Sequence, residues 1–207
     1  MEYEKHGLCQ GKRPTAHISR QAVNNNPMDT VQQSNEFYQK LVELYHNFYS
    51  HWRDHIFLTW RWWVGVGLIV VPWVVWLCVR RKESTARLLF SGMFVMLAAA
   101  VLDLIGSFLG LWTYPYKVFP LMPELVPYDL SSLPVATMVF LQYFPKVKPV
   151  IKAIVYAGLG AFVFEPLMIW LKLYDNINWP HYFSFPILFA IYLIAHRLSK
   201  ASSFAPV

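Results

Sequence analysis

Two carboxylates stand where carboxylates are costly. Glu165 sits in AFVFEPLMIW and Asp103 in AVLDLIGSFLG, each alone within an apolar run. A charged, unpaired carboxylate at membrane depth costs on the order of 3 kcal/mol or more. Each must therefore be protonated, hydrogen-bonded, paired or wetted. Pro166, directly after Glu165, removes one N–H from a helix ladder and frees the carbonyl of Phe162, which would concentrate hydrogen-bonding groups at one depth. Glu165 precedes Lys172 and Asp103 precedes Trp112 by similar stretches, placing the carboxyls roughly 10 and 13 Å below the same boundary at 1.5 Å per residue. Asp103 shares a helical face with Ala99, Gly106 and Gly110, the last two in GxxxG spacing. Glu165 shares one with Ala157, Gly158 and Ala161. Small residues let helices approach closely. Both carboxyls are therefore expected in one helix seam, as a coupled polar site with at least one of them protonated.

Asp129 and His181 open two further apolar segments and extend this candidate buried polar site, and Lys117 lies nearby in sequence. His51 and His55, in HWRDH, are one helical turn apart, a spacing that can set two imidazoles on one metal. Such a pair on a surface helix is a weak metal candidate, and no metal is assigned. Three functions fit these residues. A pocket open to the outside could bind a cation, a proton or a small amphiphile. A non-catalytic membrane component could dock a partner. An enzyme acting on a lipid or isoprenoid could use a buried carboxyl as general acid. The sequence contains no nucleophile elbow, no HExxH and no P-loop, so no catalytic residue and no cofactor is assigned.

The elements that must position these groups are helices in a bilayer. Of 207 residues, 56% are hydrophobic and only 14% charged, where a soluble domain carries roughly a quarter. The expected architecture is all-α: an integral membrane protein with a five-helix transmembrane bundle spanning about 62–79, 88–112, 128–144, 153–171 and 180–196. Spanning roughly 30 Å takes about 20 residues, so the third and fifth spans must borrow flanking residues. The net charge of +6 falls largely at the ends of apolar blocks, which argues against nucleic acid as a partner and for the lipid bilayer. Arg80, Arg81, Lys82 and Arg87 separate the first two spans; Lys146, Lys148 and Lys152 separate the third and fourth; Arg197 and Lys200 follow the fifth. Basic loops stay cytoplasmic, which puts the N-terminus outside and the C-terminus inside a cell membrane. Neither Cys9 nor Cys78 implies a disulfide framework.

Residues 1–34 read as a disordered polar tail and 201–207 as a short C-terminal one. Between tail and bundle, residues 35–56 repeat Phe37, Leu41, Tyr45, Phe48, Trp52 and Ile56 at spacings of three and four. That pattern predicts an amphipathic helix lying in the membrane interface or docking a protein partner. The connection TYPYKVFPLMPELVPY holds four prolines and cannot be a regular helix; it reads as a stiff cover over the outer ends of the bundle.

Five stretches, HIFLTWRWW, GLWTYPYKVFPLMPELVPYDLSSLPV, LQYFPKVK, FEPLMIWL and NWPHYFSFPI, resemble a family of small, uncharacterised multi-helix membrane proteins of Bacillus- and Clostridium-type bacteria. The resemblance covers roughly residues 45–198, includes both buried carboxylates and implies a polytopic cell-membrane protein. It brings no assigned activity.

Overall fold

The computed structural model describes residues 27–120, 126–143 and 145–200. The expected tails at 1–26 and 201–207 lie outside them, as do residues 121–125 of the proline-rich cover. The fold is all-α. Helix α1 runs over Pro27–His55, α2 over Trp60–Val79 and α3 over Thr85–Phe108. A π-helical turn at Tyr128–Ser132 leads into α4, Leu133–Gln142. Helix α5, Pro149–Leu159, continues through a second π-helical turn at Gly160–Phe164 into α6, Glu165–Trp170. Helix α7 is Ser184–Ser199. Two short strands, β1 (Trp112–Thr113) and β2 (Asp175–Asn176), pair antiparallel.

The chain divides into two units after Glu43. The described part of the first unit is helix alone. Here the structure corrects the sequence reading, which began the helix at 35 and left 27–34 in the tail. In the second unit, α5 packs on α7, and α3 packs on both α4 and α7, while α2 lies against α4 and its leading turn. Small residues permit the close approach: Ala99 of α3, Ala153 and Ala157 of α5 and Ala195 of α7 are buried around Tyr156 and Tyr192. The Tyr156 hydroxyl is 2.8 Å from that of Thr137 on α4.

Four helical runs, Trp60–Val79, Lys82–Phe108, Pro149–Trp170 and His181–Ser199, are long and apolar enough to cross a membrane. Their outward faces are greasy: Val70, Val71 and Val74 of α2, Met93 and Leu97 of α3, and Ile151 and Ile154 of α5 are exposed, as lipid-facing side chains are. The helical run 126–142, expected as a span over 128–144, is shorter than these four.

The prolines inside the bundle explain how the short run is held. Pro72 has no N–H to give the Leu68 carbonyl, and Ser132 Oγ donates to that oxygen instead at 3.3 Å. Ser131 Oγ donates to the neighbouring Ile69 carbonyl at 2.7 Å. In return, the Trp73 indole of α2 donates to the Leu130 carbonyl, four residues before Pro134, at 3.3 Å. At the opposite end of α4, Gln142 donates to the Val79 carbonyl and accepts from the Arg81 N–H, and Lys152 Nζ reaches the carbonyls of Phe140 and Tyr143. This end, which also carries Arg80, Arg87, Lys148, Arg197 and Lys200, is the basic end of the bundle; the other is the ladder end.

Helix α3 stops at Phe108, short of the expected 112, because Gly110 closes it. Gly110 takes φ +67°, its N–H bonds to the Ser107 carbonyl and that of Leu111 to Gly106. This is the Schellman arrangement, which glycine favours because it has no Cβ. The GxxxG spacing is therefore not a helix–helix seam. Gly106 is instead covered by the Trp112 ring, which an added Cβ would overlap.

Candidate functional site: a carboxylate-lined cavity

Three elements converge at the ladder end. The last turns of α3 carry Asp103. The two π-helical turns, each followed two residues later by a proline (Pro134 and Pro166), carry Tyr128 and Asp129 on one side and Phe164 on the other, with Glu165 immediately after. Proline explains the geometry: its ring clashes with the carbonyl four residues back in an α-helix, and a local π turn relieves the clash by lengthening the hydrogen-bond register. The Tyr128 and Phe164 rings stack at 5.3 Å between centroids, joining the two turns.

The cavity these elements enclose is about 120 Å³. Asp103, Asp129 and Glu165 all line it, with Tyr114, Tyr128, Tyr174 and Ser184 supplying hydroxyls, and no Lys or Arg among the described residues lines it. Asp103 and Asp129 are 5% and 3% exposed, and the Glu165 side chain 12%. Asp103 Oδ1 accepts from Trp112 Nε1 at 2.7 Å and from the Tyr114 hydroxyl. Glu165 Oε1 lies 3.3 Å from His181 Nδ1.

Above the carboxylates the two connecting segments form a roof. The β1–β2 ladder ties them, and Asn178 adds a bond from its N–H to the Leu111 carbonyl at 2.8 Å. The Trp112 and Trp179 rings meet edge to face at 5.3 Å, the Tyr114 and Tyr174 rings at 5.6 Å, and Trp179 Nε1 donates to Ser184 Oγ at 3.0 Å. Burial, and next the neighbouring Asp103, pushes the Tyr114 phenol well above the ordinary tyrosine value. Tyr174 is pushed up by burial and by Glu165.

The structure thus brings Asp103, Asp129 and Glu165 to one cavity wall. His181, half-buried, is not in the lining and touches the site through Glu165. The Phe162 side chain is exposed and does not line the cavity. Lys117 is not in the wall either: its carbonyl accepts from Trp52 Nε1 at 2.9 Å and its ammonium lies over the Phe48 ring. Trp52 is accordingly buried against the cover. The His51 and His55 rings are 4.9 Å apart and exposed, and among the described residues no three His, Cys, Asp or Glu side chains gather as a metal site.

Sequence reasoning missed the aromatic share of the wall. Amphipathic rings such as Trp112, Tyr114, Tyr174 and Trp179 also settle at membrane boundaries; the signal available was their pairing in two connections that both follow carboxylate-bearing helices. Among the described residues, three carboxyls and no Lys or Arg line the cavity, and His181 lies against Glu165 at its edge. No protein-family model, curated protein or solved structure matches the chain.

Proposed function

We propose that the protein is a multi-pass cell-membrane protein whose ladder-end cavity opens to the outside and binds a cation, a proton or a small amphiphile. The observation that carries this reading is that Asp103, Asp129 and Glu165 line one cavity, and that no Lys or Arg among the described residues joins them. In low dielectric a bound positive charge offsets the cost of burying a carboxylate. In this reading the 126–142 run completes a fifth span with its flanking residues. The ladder end and N-terminus are outside and the basic end cytoplasmic, as the grouping of Arg80, Arg81, Arg87, Lys148, Arg197 and Lys200 favours.

Trp112 and Trp179 line the cavity, so their fluorescence in detergent should change saturably as protons or cation salts are titrated. Glu165→Gln and Asp129→Asn should abolish the response while keeping helical circular dichroism. A titration curve unchanged in both variants would end the reading. For orientation, Ile177→Cys in a chain lacking Cys9 and Cys78 should label in intact cells; labelling only after permeabilisation would reverse the topology.

A second reading concerns α1. Phe37, Tyr38, Leu41, Leu44 and Tyr45 are all exposed, an apolar stripe fitted to the outer membrane interface or to a docking partner. Spin labels along 35–47 in bilayers should show accessibility with a period near 3.6. A flat profile would sink this reading.

A further inference from the structure

We infer that the occupant of the ladder-end cavity is a small organic ammonium ion, held by distributed carboxylates and by aromatic walls. The inference rests on the cation-binding reading above and sharpens it. A metal ion needs several oxygen donors drawn in to about 2.0–2.6 Å. Although three carboxyls line this cavity, no three His, Cys, Asp or Glu side chains among the described residues converge closely enough for that. Carboxyls that line one cavity without converging on one point suit a cation whose own charge is diffuse and whose shell is carbon.

The rest of the wall fits the same ligand. Six rings line the cavity: Trp112, Tyr114, Tyr128, Phe164, Tyr174 and Trp179. Aromatic faces attract alkylammonium groups through the ring quadrupole, most strongly when water is excluded, and cages of such rings recognise quaternary ammonium. Among the described residues no Lys or Arg lines the cavity. The Ser184 hydroxyl, fixed by Trp179 Nε1 at 3.0 Å, offers a polar contact for a hydroxyl tail. Size sets the limit. At about 120 Å³, the void is of the same order as the roughly 150 Å³ cavity that takes benzene, which gives room for a compact head group of that size, such as tetramethylammonium or the trimethylammonium end of choline.

Purified full-length protein in detergent would be titrated by calorimetry, with thermal unfolding in parallel. The probes are choline chloride, tetramethylammonium chloride, sodium and calcium chloride at matched ionic strength, and the uncharged isostere of choline in which carbon replaces nitrogen. Choline or tetramethylammonium should bind saturably and raise the unfolding temperature. The uncharged isostere should bind at least about tenfold more weakly, the factor that about 1.4 kcal/mol of desolvated cation–π and charge attraction gives. Tyr174→Leu should lower affinity for the ammonium ions and leave that for the isostere unchanged; Phe164→Leu serves the same purpose where Tyr174→Leu does not fold. Equal binding of the isostere would overturn the inference, as would a ring substitution that weakens both ligands alike. Saturable binding of sodium or calcium without any ammonium ion would overturn it and leave the cation reading standing. No binding by any probe, with no proton-linked response, would overturn both.

Discussion

Trp112 and Asp103 are joined by a 2.7 Å hydrogen bond from the indole Nε1 to the carboxylate Oδ1. The contact folds the chain back on its own helix. Gly110 ends α3 in the left-handed region, the next two residues reverse direction, and the Trp112 ring settles on the glycine surface of Gly106. One indole therefore caps the end of α3, carries the first residue of the ladder and fixes the nearest carboxylate of the cavity.

That relationship can be measured. Trp112→Phe keeps a ring but removes the donor from a buried carboxylate, and should destabilise by about 1–3 kcal/mol in thermal or denaturant unfolding. Combined with Asp103→Asn it should show a coupling energy of about 0.5–3 kcal/mol; strict additivity would mean the bond does not hold the roof. Gly106→Ala should cost about 1–3 kcal/mol, because its methyl would overlap the Trp112 ring. Gly67→Ala, where nothing stands within 4 Å, should cost nothing.

The exchange of backbone partners between α2 and α4 makes a sharper test. Ser132→Ala leaves the Leu68 carbonyl, opened by Pro72, without its donor, and should cost about 0.5–1.5 kcal/mol. Pro72→Ala restores the missing N–H. On that background Ser132→Ala should cost less than it does alone. An equal cost in both backgrounds would show that the serine acts elsewhere.

Much of this architecture is legible from residue patterns. Apolar blocks bounded by basic clusters mark the four long helices, and matched counting from Lys172 and Trp112 puts Asp103 and Glu165 at one depth, where the structure has both on one cavity wall. Two features escape such reading. Helical wheels assume a constant period, and each π turn adds a residue to the register, so the surroundings of Asp129 and Glu165 cannot be obtained by counting in steps of three and four. The glycine pair at 106 and 110 suits either a helix seam or a helix end. The choice is made by Trp112, whose ring returns from beyond the helix, a non-local contact that composition does not encode.

Helix α6 ends as α3 does, but on the wrong residue. Lys172 adopts φ +64°, with its N–H on the Ile169 carbonyl and that of Leu173 on Met168. A side chain in the left-handed region meets a steric cost that glycine avoids. The Lys172 side chain is exposed, so little packing is lost on its removal. Lys172→Gly should stabilise by up to about 1 kcal/mol, net of the added freedom of the unfolded chain, and raise the unfolding temperature. A lower unfolding temperature would show that the lysine makes a contact worth more than the strain.

The roof tyrosines set how the protein responds to alkali. Burial first, and the nearby Asp103 for Tyr114 or Glu165 for Tyr174, keeps both phenols protonated in the folded protein beyond the ordinary value of roughly 10. In the unfolded chain they ionise at that ordinary value. Below it both states hold the proton and these groups leave stability flat. Above it the unfolded state binds fewer protons than the folded state, so stability falls as pH rises. The slope reaches about 1.4 kcal/mol per pH unit for one fully buried phenol, and Tyr114, almost wholly enclosed, should account for more of it than the partly exposed Tyr174. Tyr114→Phe should lower stability at neutral pH, through the lost bond to Asp103, and flatten the decline above pH roughly 10. Tyr174→Phe should flatten it less. Unfolding measured from neutral to strongly alkaline pH decides the matter: a decline equally steep without Tyr114 would show that the roof phenol is not the group that titrates.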